Sequence, residues 1–139
     1  MSEETFHLEI LTPTKPILDR VVTSAEFQTT RGLMEVRQGH AALVAVLDIG
    51  KVTIGEESGS SFSVAVHGGI LKIEKDKVMV LASEGELPES IDLDRAKEAL
   101  EKASVPREEI DAEDVGAMAR AKLRAETRIE VFQAHKENR

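Results

Sequence analysis

The chain of 139 residues is 41% hydrophobic and 32% charged, which suits one modest globular unit or a small domain with an appendage and excludes a large multidomain enzyme. Its formal net charge of -8 and its few aromatic residues, four Phe in all, argue against nucleic acid binding, which needs a basic surface or aromatic platforms for stacked bases. Cysteine is absent, which excludes disulfides, thiolate metal ligands and a thiol nucleophile.

The first 87 residues have the periodicity of a β domain. Eight of the nine glycines lie between Gly32 and Gly85, and short apolar runs there alternate with polar residues at a period of two. The strands that this pattern predicts are 6–11, 17–22, 25–29, 33–36, 42–47, 51–54, 62–66, 70–74 and 78–82. Strands so short and so regularly spaced favour a sandwich or flattened barrel, with hairpin turns at 55–60 and 76–77.

After residue 87 the hydrophobic period becomes that of a helix. The apolar seams are Leu93, Ala96, Leu100 and Ala103, followed by Met118, Ala121, Ala125, Ile129 and Phe132. The first helix is expected to begin at an N-cap of Ser90 or Asp92 and to end before Val105, and the second to run from 111–114 to about Ala134. The short polar joint predicts an antiparallel hairpin whose narrow, Ala-rich seams depend on support from elsewhere in the chain.

No motif of a catalytic or metal site stands out in the sequence. It contains no Gly-rich phosphate loop, no His-x-x-x-His pair and no serine in a nucleophile elbow. We assign His40 and His67, each next to a glycine, to turns or packing rather than to metal binding or catalysis. The carboxylates lie in polar runs typical of a solvated surface. We therefore predict no catalytic residue and no metal ligand.

The sequence predicts neither a membrane span nor a signal peptide. The longest apolar run, residues 41–47, is far shorter than the roughly 20 residues needed to cross a bilayer. Residues 1–6 are acidic where a signal peptide is basic. We expect a protein on the cytosolic side with no direct membrane insertion.

The second predicted helix carries a basic ridge. Arg120, Arg124 and Arg128 recur at every fourth position with no acid on that ridge, a spacing that destabilises an isolated helix by roughly a few tenths of a kcal/mol per pair. Arg95 and Lys102, seven residues apart, share one face of the first helix. If the two faces meet, these cations converge on a site for an anion. Alternatively, they lie on a solvated surface and pair with glutamates of their own helices.

Three segments, taken in order, resemble one known family. They are Gly39-His40-Ala41-Ala42-Leu43 with Asp48-Ile49-Gly50-Lys51-Val52, then Gly68-Gly69-Ile70-Leu71 with Val78-Met79-Val80-Leu81-Ala82, and finally Ile91-Asp92-Leu93-Asp94-Arg95-Ala96. The family is the epsilon subunit of the F-type ATP synthase, called delta in mitochondria. The resemblance covers nearly the whole chain, from Phe6 to about Val131.

The resemblance implies a ten-stranded β-sandwich at 1–87 and an antiparallel two-helix hairpin at 88–139. The sandwich would bind the gamma subunit and the membrane ring. The hairpin would either fold onto the sandwich or extend into the catalytic head and suppress ATP hydrolysis. Such a subunit has no active site, lies at the cytoplasmic face of the plasma membrane and needs no obligatory cofactor, with ATP as a regulatory ligand. The alternatives are a free-standing nucleotide-sensing module and a small hydrolase built on a β-sandwich.

The last of these segments resembles a motif of family members that bind ATP. The residues that the resemblance assigns to this site are Glu86, Ile91, Asp92, Arg95, Ala96, Lys102, Arg124 and Arg128. Glu86, Ile91 and Asp92 would lie near adenine and the arginines near phosphate, a division that suits the guanidinium group. Lys102 stands where those members carry arginine, so one forked phosphate contact becomes a point charge.

The same resemblance assigns the loop 29–39 to the membrane ring. The candidate ring contacts are Leu33, Gly39 and His40. The residues that stand where the family commonly has glycine, proline and proline are Glu35, Gln38 and Ala42. The detailed shape of the loop is therefore expected to differ from that of its relatives.

Overall fold

The computed structural model describes residues 4–137, in which a β-sandwich is followed by a helical hairpin. Its strands are β1 (Phe6–Leu11), β2 (Pro16–Val22), β3 (Ser24–Thr29), β4 (Gly32–Val36), β5 (Leu43–Gly55), β6 (Ser61–Glu74), β7 (Lys77–Ala82) and β8 (Gly85–Glu86). Its helices are α1 (Leu93–Ala103) and α2 (Val115–Glu137), with short 3-10 helices at Pro88–Ser90, Arg107–Glu109 and Ala112–Asp114.

The strands form one hydrogen-bonded sheet that folds over on itself. Their order is β2-β1-β7-β6-β5-β3-β4, and β8 pairs with β6. Neighbouring strands of the described chain are antiparallel, except that β1 and β7 run parallel. The two layers enclose one apolar core, in which Leu8, Phe27, Ile54 and Leu71 are fully buried. The buried residues of this core all lie in the strands.

β6 turns the corner of the sandwich at Gly68 and Gly69. Before this pair the side chains that point into the core are at even-numbered positions, as at Val66, and after it they are at odd-numbered positions, as at Leu71. The alternation of inward and outward side chains therefore shifts by one residue at the corner. Both glycines have a positive φ, +80° and +145°, and a Cβ on Gly69 would lie 2.3 Å from the carbonyl oxygen of Leu81. Only glycine fits this close approach.

Residues 4–137 form eight strands, so the expectation of ten is wrong. β5 also shifts its inward-facing phase, between Leu47 and Val52, beside the corner in β6. Each long strand therefore unites two of the predicted short strands, 42–47 with 51–54 in β5 and 62–66 with 70–74 in β6. The alternation of apolar and polar residues breaks at the corner because the inward-facing positions shift there. The backbones of β5 and β6 nevertheless stay paired before and after the corner. The predicted sandwich and hairpin are both present.

The helices begin and end close to the predicted positions. The Asp92 side chain accepts a hydrogen bond from the Arg95 backbone nitrogen at 3.1 Å and so caps α1, which settles the choice between two predicted caps. α2 begins a little later than predicted, at Val115, because residues 112–114 form a 3-10 turn. Neither helix in the described range is long and apolar enough to cross a membrane.

α2 packs on two surfaces, α1 and the sandwich. Its buried residues are Ala125, Thr127 and Val131. Val131 shares a small apolar cluster with Ala65 of β6 and Ile91. The Glu130 carboxylate lies 2.6 Å from the ammonium of Lys51 in β5. The hairpin thus has the outside support that its narrow seams require. The proposed division between 87 and 88 stays a prediction, with β8 ending at Glu86.

Candidate functional site

A cavity of about 390 Å³ lies between the end of the sandwich and the hairpin. Its lining residues are Glu84, Glu86, Ser90, Asp92, Arg95, Ala96, Ala99 and Arg128. They come from three parts of the chain, because the start of α1 lies beside the late part of α2 in an antiparallel hairpin. The cavity brings together five of the eight residues that the resemblance assigns to an ATP site, namely Glu86, Asp92, Arg95, Ala96 and Arg128.

The short strand β8 places the acidic side of the cavity. Glu86 pairs with Ala65 of β6 in the sheet, and the backbone nitrogen of His67 donates to the carbonyl of Glu84 at 2.9 Å. Glu84 lies at a bend just before β8, and Glu86 is the last residue of that strand. The carboxylates of both residues reach the same partner on α2.

That partner is Arg128, which joins α2 to the end of the sandwich. Its Nε donates to Glu86 Oε1 at 2.5 Å, and its Nη2 donates to Glu84 Oε1 at 2.6 Å. The side chains of Arg128 and Glu86 are 22% and 23% exposed, whereas that of Glu84 is 55% exposed. The inner ion pair is thus partly shielded from water and the outer pair is not. Hydrogen bonds between charged groups in a shielded site are stronger than those at the surface.

His67 is the buried end of this network. Its side chain is 2% exposed, and its Nε2 lies 3.2 Å from Glu86 Oε1. Its Nδ1 is buried, and no residue in the described part of the chain forms a hydrogen bond with it. We assign the proton to Nε2, because that tautomer donates to the carboxylate and leaves Nδ1 with no unsatisfied N–H. The expected packing role of His67 therefore includes a polar contact to a predicted site residue, which the sequence did not indicate.

The network keeps Glu86 ionised. The hydrogen bond from His67 lowers the pKa of the Glu86 carboxyl, and the hydrogen bond and positive charge of Arg128 lower it further, while partial burial raises it. The net effect is a pKa below the ordinary value of 4.5. Glu86 is accordingly a fixed negative charge at the back of the cavity at neutral pH.

The first turn of α1 forms the opposite wall. Asp92 caps the helix with its side chain, and Arg95 is exposed at the cavity. Ala96 is buried, and its small side chain lets the wall come close to α2. Ile91 does not line the cavity, because it is buried in the apolar cluster with Val131. It fixes the start of the hairpin against the sandwich.

Lys102 and Arg124 lie outside this cavity. Lys102 is in the last turn of α1 and is exposed, beyond Ala99, the last residue of α1 at the cavity. Arg124 is half-buried on α2, one helical turn before Arg128. The basic ridge of the sequence is thus not gathered at one point. Among the cavity residues, three carboxylates face two guanidinium groups.

His67, Glu84 and Glu86 also present ligand atoms within 4.8 Å of one another, a spacing that suits a metal ion. The guanidinium of Arg128, however, donates to both carboxylates. A cation at this point would have to displace Arg128, so the arrangement suits the arginine better than it suits a metal.

The predicted ring contacts lie on and after β4. Leu33 is 67% exposed, and Gly39 has a φ of +81° in the turn that follows the strand. The Nδ1 of His40 lies 2.8 Å from the carbonyl oxygen of Ala41, and its backbone nitrogen donates to the carbonyl of Arg37 at 3.2 Å. His40 therefore shapes this turn.

A second surface feature was not anticipated from the sequence. Val44 and Val46 of β5, Ile70 of β6 and Leu81 of β7 point outward and are 38 to 66% exposed. Val46 pairs with Ile70, and Ile70 pairs with Leu81, so these side chains are neighbours across three strands. We call these four residues the outer apolar patch. The signal was available in the sequence, since both faces of these strands carry apolar residues.

A family model described as the β-sandwich domain of the ATP synthase delta/epsilon chain matches residues 5–88. The ATP synthase epsilon chain of Staphylococcus haemolyticus is 37% identical to this chain over 91% of its length and 96% of the relative's. The chain belongs to the ATP synthase delta/epsilon family. The match to whole epsilon chains extends across the hairpin as well as the sandwich. The resemblance noted in the sequence is thereby confirmed.

One further relative and two solved structures are also similar to this chain. The sodium ion specific epsilon chain of Propionigenium modestum is 40% identical over 70% of each chain. A chain in the structure of the Euglena gracilis mitochondrial ATP synthase superposes with a TM-score of 0.70 at 22% identity, covering 99% of this chain and 82% of that one. A chain from the central stalk and c-ring of the Tetrahymena thermophila enzyme gives 0.58 at 13% identity. These two structures show that the fold is shared.

Proposed function

We propose that this chain is a non-catalytic central-stalk subunit of an F-type ATP synthase. The sandwich would couple the gamma subunit to the membrane ring, and the complex would lie at the cytoplasmic face of the plasma membrane. Family membership supports the assignment, and the relatives with the same fold come from ATP synthase structures that include a c-ring. The small hydrolase considered from the sequence receives no support from this family.

The outer apolar patch is the observation that carries the docking role. Its four side chains form a continuous outward face on a chain of net charge -8. Apolar groups grouped in this way on a soluble protein mark a surface that is covered by a partner. We assign the patch to the gamma subunit, and the loop with Leu33, Gly39 and His40 to the ring. The two partners would then bind separate parts of the sandwich.

A pull-down with the gamma subunit tests this docking. Ile70→Glu places a charge in the middle of the outer apolar patch and is expected to weaken gamma binding by at least about tenfold. Leu123→Glu is the matched control, because Leu123 is 39% exposed on α2 and Ile70 is 38% exposed on β6. Undiminished gamma binding by a folded Ile70→Glu variant would contradict the assignment.

We further propose that the hairpin regulates ATP hydrolysis and that the cavity senses ATP. Arg95 and Arg128 would hold phosphates, with Glu86 and Asp92 near the base. Ligand bound between α1, α2 and β8 would favour the hairpin folded on the sandwich over a hairpin extended toward the catalytic head. Titration of the full chain with ATP tests the sensing part. Absence of binding at millimolar ATP would overturn it while leaving the docking role intact.

A further inference from the structure

Arg128 holds two carboxylates that differ in how firmly they are fixed. Glu86 is 23% exposed, belongs to β8 and also contacts the buried His67. Glu84 is 55% exposed, and Arg128 is its side-chain hydrogen-bonding partner among the described residues. The backbone of Glu84 is held by the amide of His67, so its side chain alone has to rotate to leave the arginine. Glu86 is therefore the more firmly held partner of Arg128, and Glu84 is the less firmly held one.

The donor atoms of Arg128 show what Glu84 blocks. Nε is taken by Glu86 and Nη2 by Glu84, and no described residue accepts a hydrogen bond from Nη1. Nη1 and Nη2 together form the forked end of the guanidinium, which binds two oxygens of one phosphate. Glu84 therefore occupies one of the two donors of the fork. Its negative charge lies where the negative charge of a bound phosphate would lie.

We propose that Glu84 is an internal competitor for phosphate at Arg128. Its carboxylate stands in for the anionic ligand when the cavity is empty, and a polyphosphate binds by displacing Glu84 while Glu86 stays in place. This inference rests on the proposed nucleotide sensing and extends it to the affinity of the site. Glu84 sets how much ligand is needed, because an exposed ion pair is weak enough for a multivalent anion to replace.

Calorimetric titration of the full chain with ATP, and separately with inorganic tripolyphosphate, tests the role of Glu84. Glu84→Gln keeps the size of the side chain and removes its charge, so both ligands are expected to bind about three- to tenfold more tightly. Glu84→Asp retains the charge but is one methylene shorter and holds Arg128 less well, so its affinity for both ligands should lie between those of the wild type and Glu84→Gln. Glu98→Gln, an exposed glutamate of α1 away from the cavity, is the control for total charge.

The outcomes separate this inference from the proposed function. Equal ATP affinity in wild type and Glu84→Gln would overturn the competitor role while leaving ATP sensing in place. If ATP binds neither protein, ATP sensing fails, and tighter tripolyphosphate binding by Glu84→Gln would still support competition at Arg128. An equal gain in ligand affinity in Glu98→Gln would overturn the inference, because the effect would then come from the net charge of the chain alone.

Discussion

Arg128 in α2 and Glu86 in β8, separated by 42 positions in the sequence, are joined by a hydrogen bond of 2.5 Å. This contact ties the last helix to the last strand, and His67 supports it from inside the sandwich. An extended hairpin has to lose it. This network would therefore favour the folded hairpin over the extended hairpin proposed above.

Removing Arg128 should loosen the hairpin. Arg128→Met keeps the apolar stem but leaves Glu86 without its charged partner in a half-buried site, which is expected to cost about 1 to 3 kcal/mol. Hydrogen exchange of the α2 amides measures the loss, and faster exchange is expected in α2 than in the strands. Arg120→Met, an exposed residue on the same ridge, is the matched control and should change little.

The pH dependence of stability should report the ionisation of Glu86. Its pKa is lowered in the folded chain, so the folded state binds protons less readily than the unfolded state and stability rises with pH in this range. The contribution is fully present above the ordinary value of 4.5 and is lost as the pH falls through the lower folded pKa. Urea unfolding between about pH 3 and 7 should show that the free energy of unfolding decreases less on acidification in Glu86→Gln than in the wild type. Identical pH profiles would contradict this account.

Gly69 should be required for the corner of the sandwich. Gly69→Ala places a Cβ 2.3 Å from the carbonyl oxygen of Leu81 at a φ of +145°, and we expect a loss of about 2 to 4 kcal/mol in the free energy of unfolding. Gly59→Ala is the control, because Gly59 has a φ of +90° but no atom of residues 4–137 lies within 4 Å of the added Cβ. The smaller loss of unfolding free energy in Gly59→Ala would measure the backbone strain in the absence of a steric clash. Equal losses in the two variants would show that the clash is relieved.

The sandwich should fold and dock without the hairpin. Its main core cluster is built from residues of the strands, from Phe6 to Ala82, with Leu87 packed against it. A chain ending after Leu87 is expected to give the dispersed NMR spectrum of a folded protein and to bind the gamma subunit. The same truncation should raise ATP hydrolysis by the assembled enzyme if the hairpin inhibits it. A folded fragment that fails to bind gamma would contradict the division of roles.

The sequence predicted the architecture better than the strand count. Local periodicity identified nearly every strand and both helices, because the apolar residues of most elements recur at a regular interval. It split β5 and β6, because a strand that passes from one layer to the other changes its inward phase while keeping its hydrogen bonds. The glycines at 68 and 69 mark that corner, but a glycine pair equally predicts a turn. Only the pairing of distant strands distinguishes the two.

The candidate site was predicted in outline, and its key neighbours were not. Spacing and resemblance predict Arg128 and Glu86 as members of the site. The contact between them depends on how α2 packs on the sandwich, which the sequence does not give. The seam predicted for α2 omitted Val131 and Thr127, since a single stripe describes a helix packed on one surface and α2 packs on two. His67 and Glu84 were missed because their role comes from the partner that tertiary packing brings to them.

Hydrogen exchange of the helix amides in the full chain, with and without saturating ATP, tests the proposed ATP switch most directly. Ligand at about 100 times its dissociation constant stabilises the form that binds it by roughly 2.7 kcal/mol. We therefore predict that ATP slows exchange in α1 and α2 by up to about a hundredfold while exchange in β1 to β7 stays unchanged. Equal exchange of the helices in the two conditions would contradict the account and leave the arginines as a structural part of the hairpin.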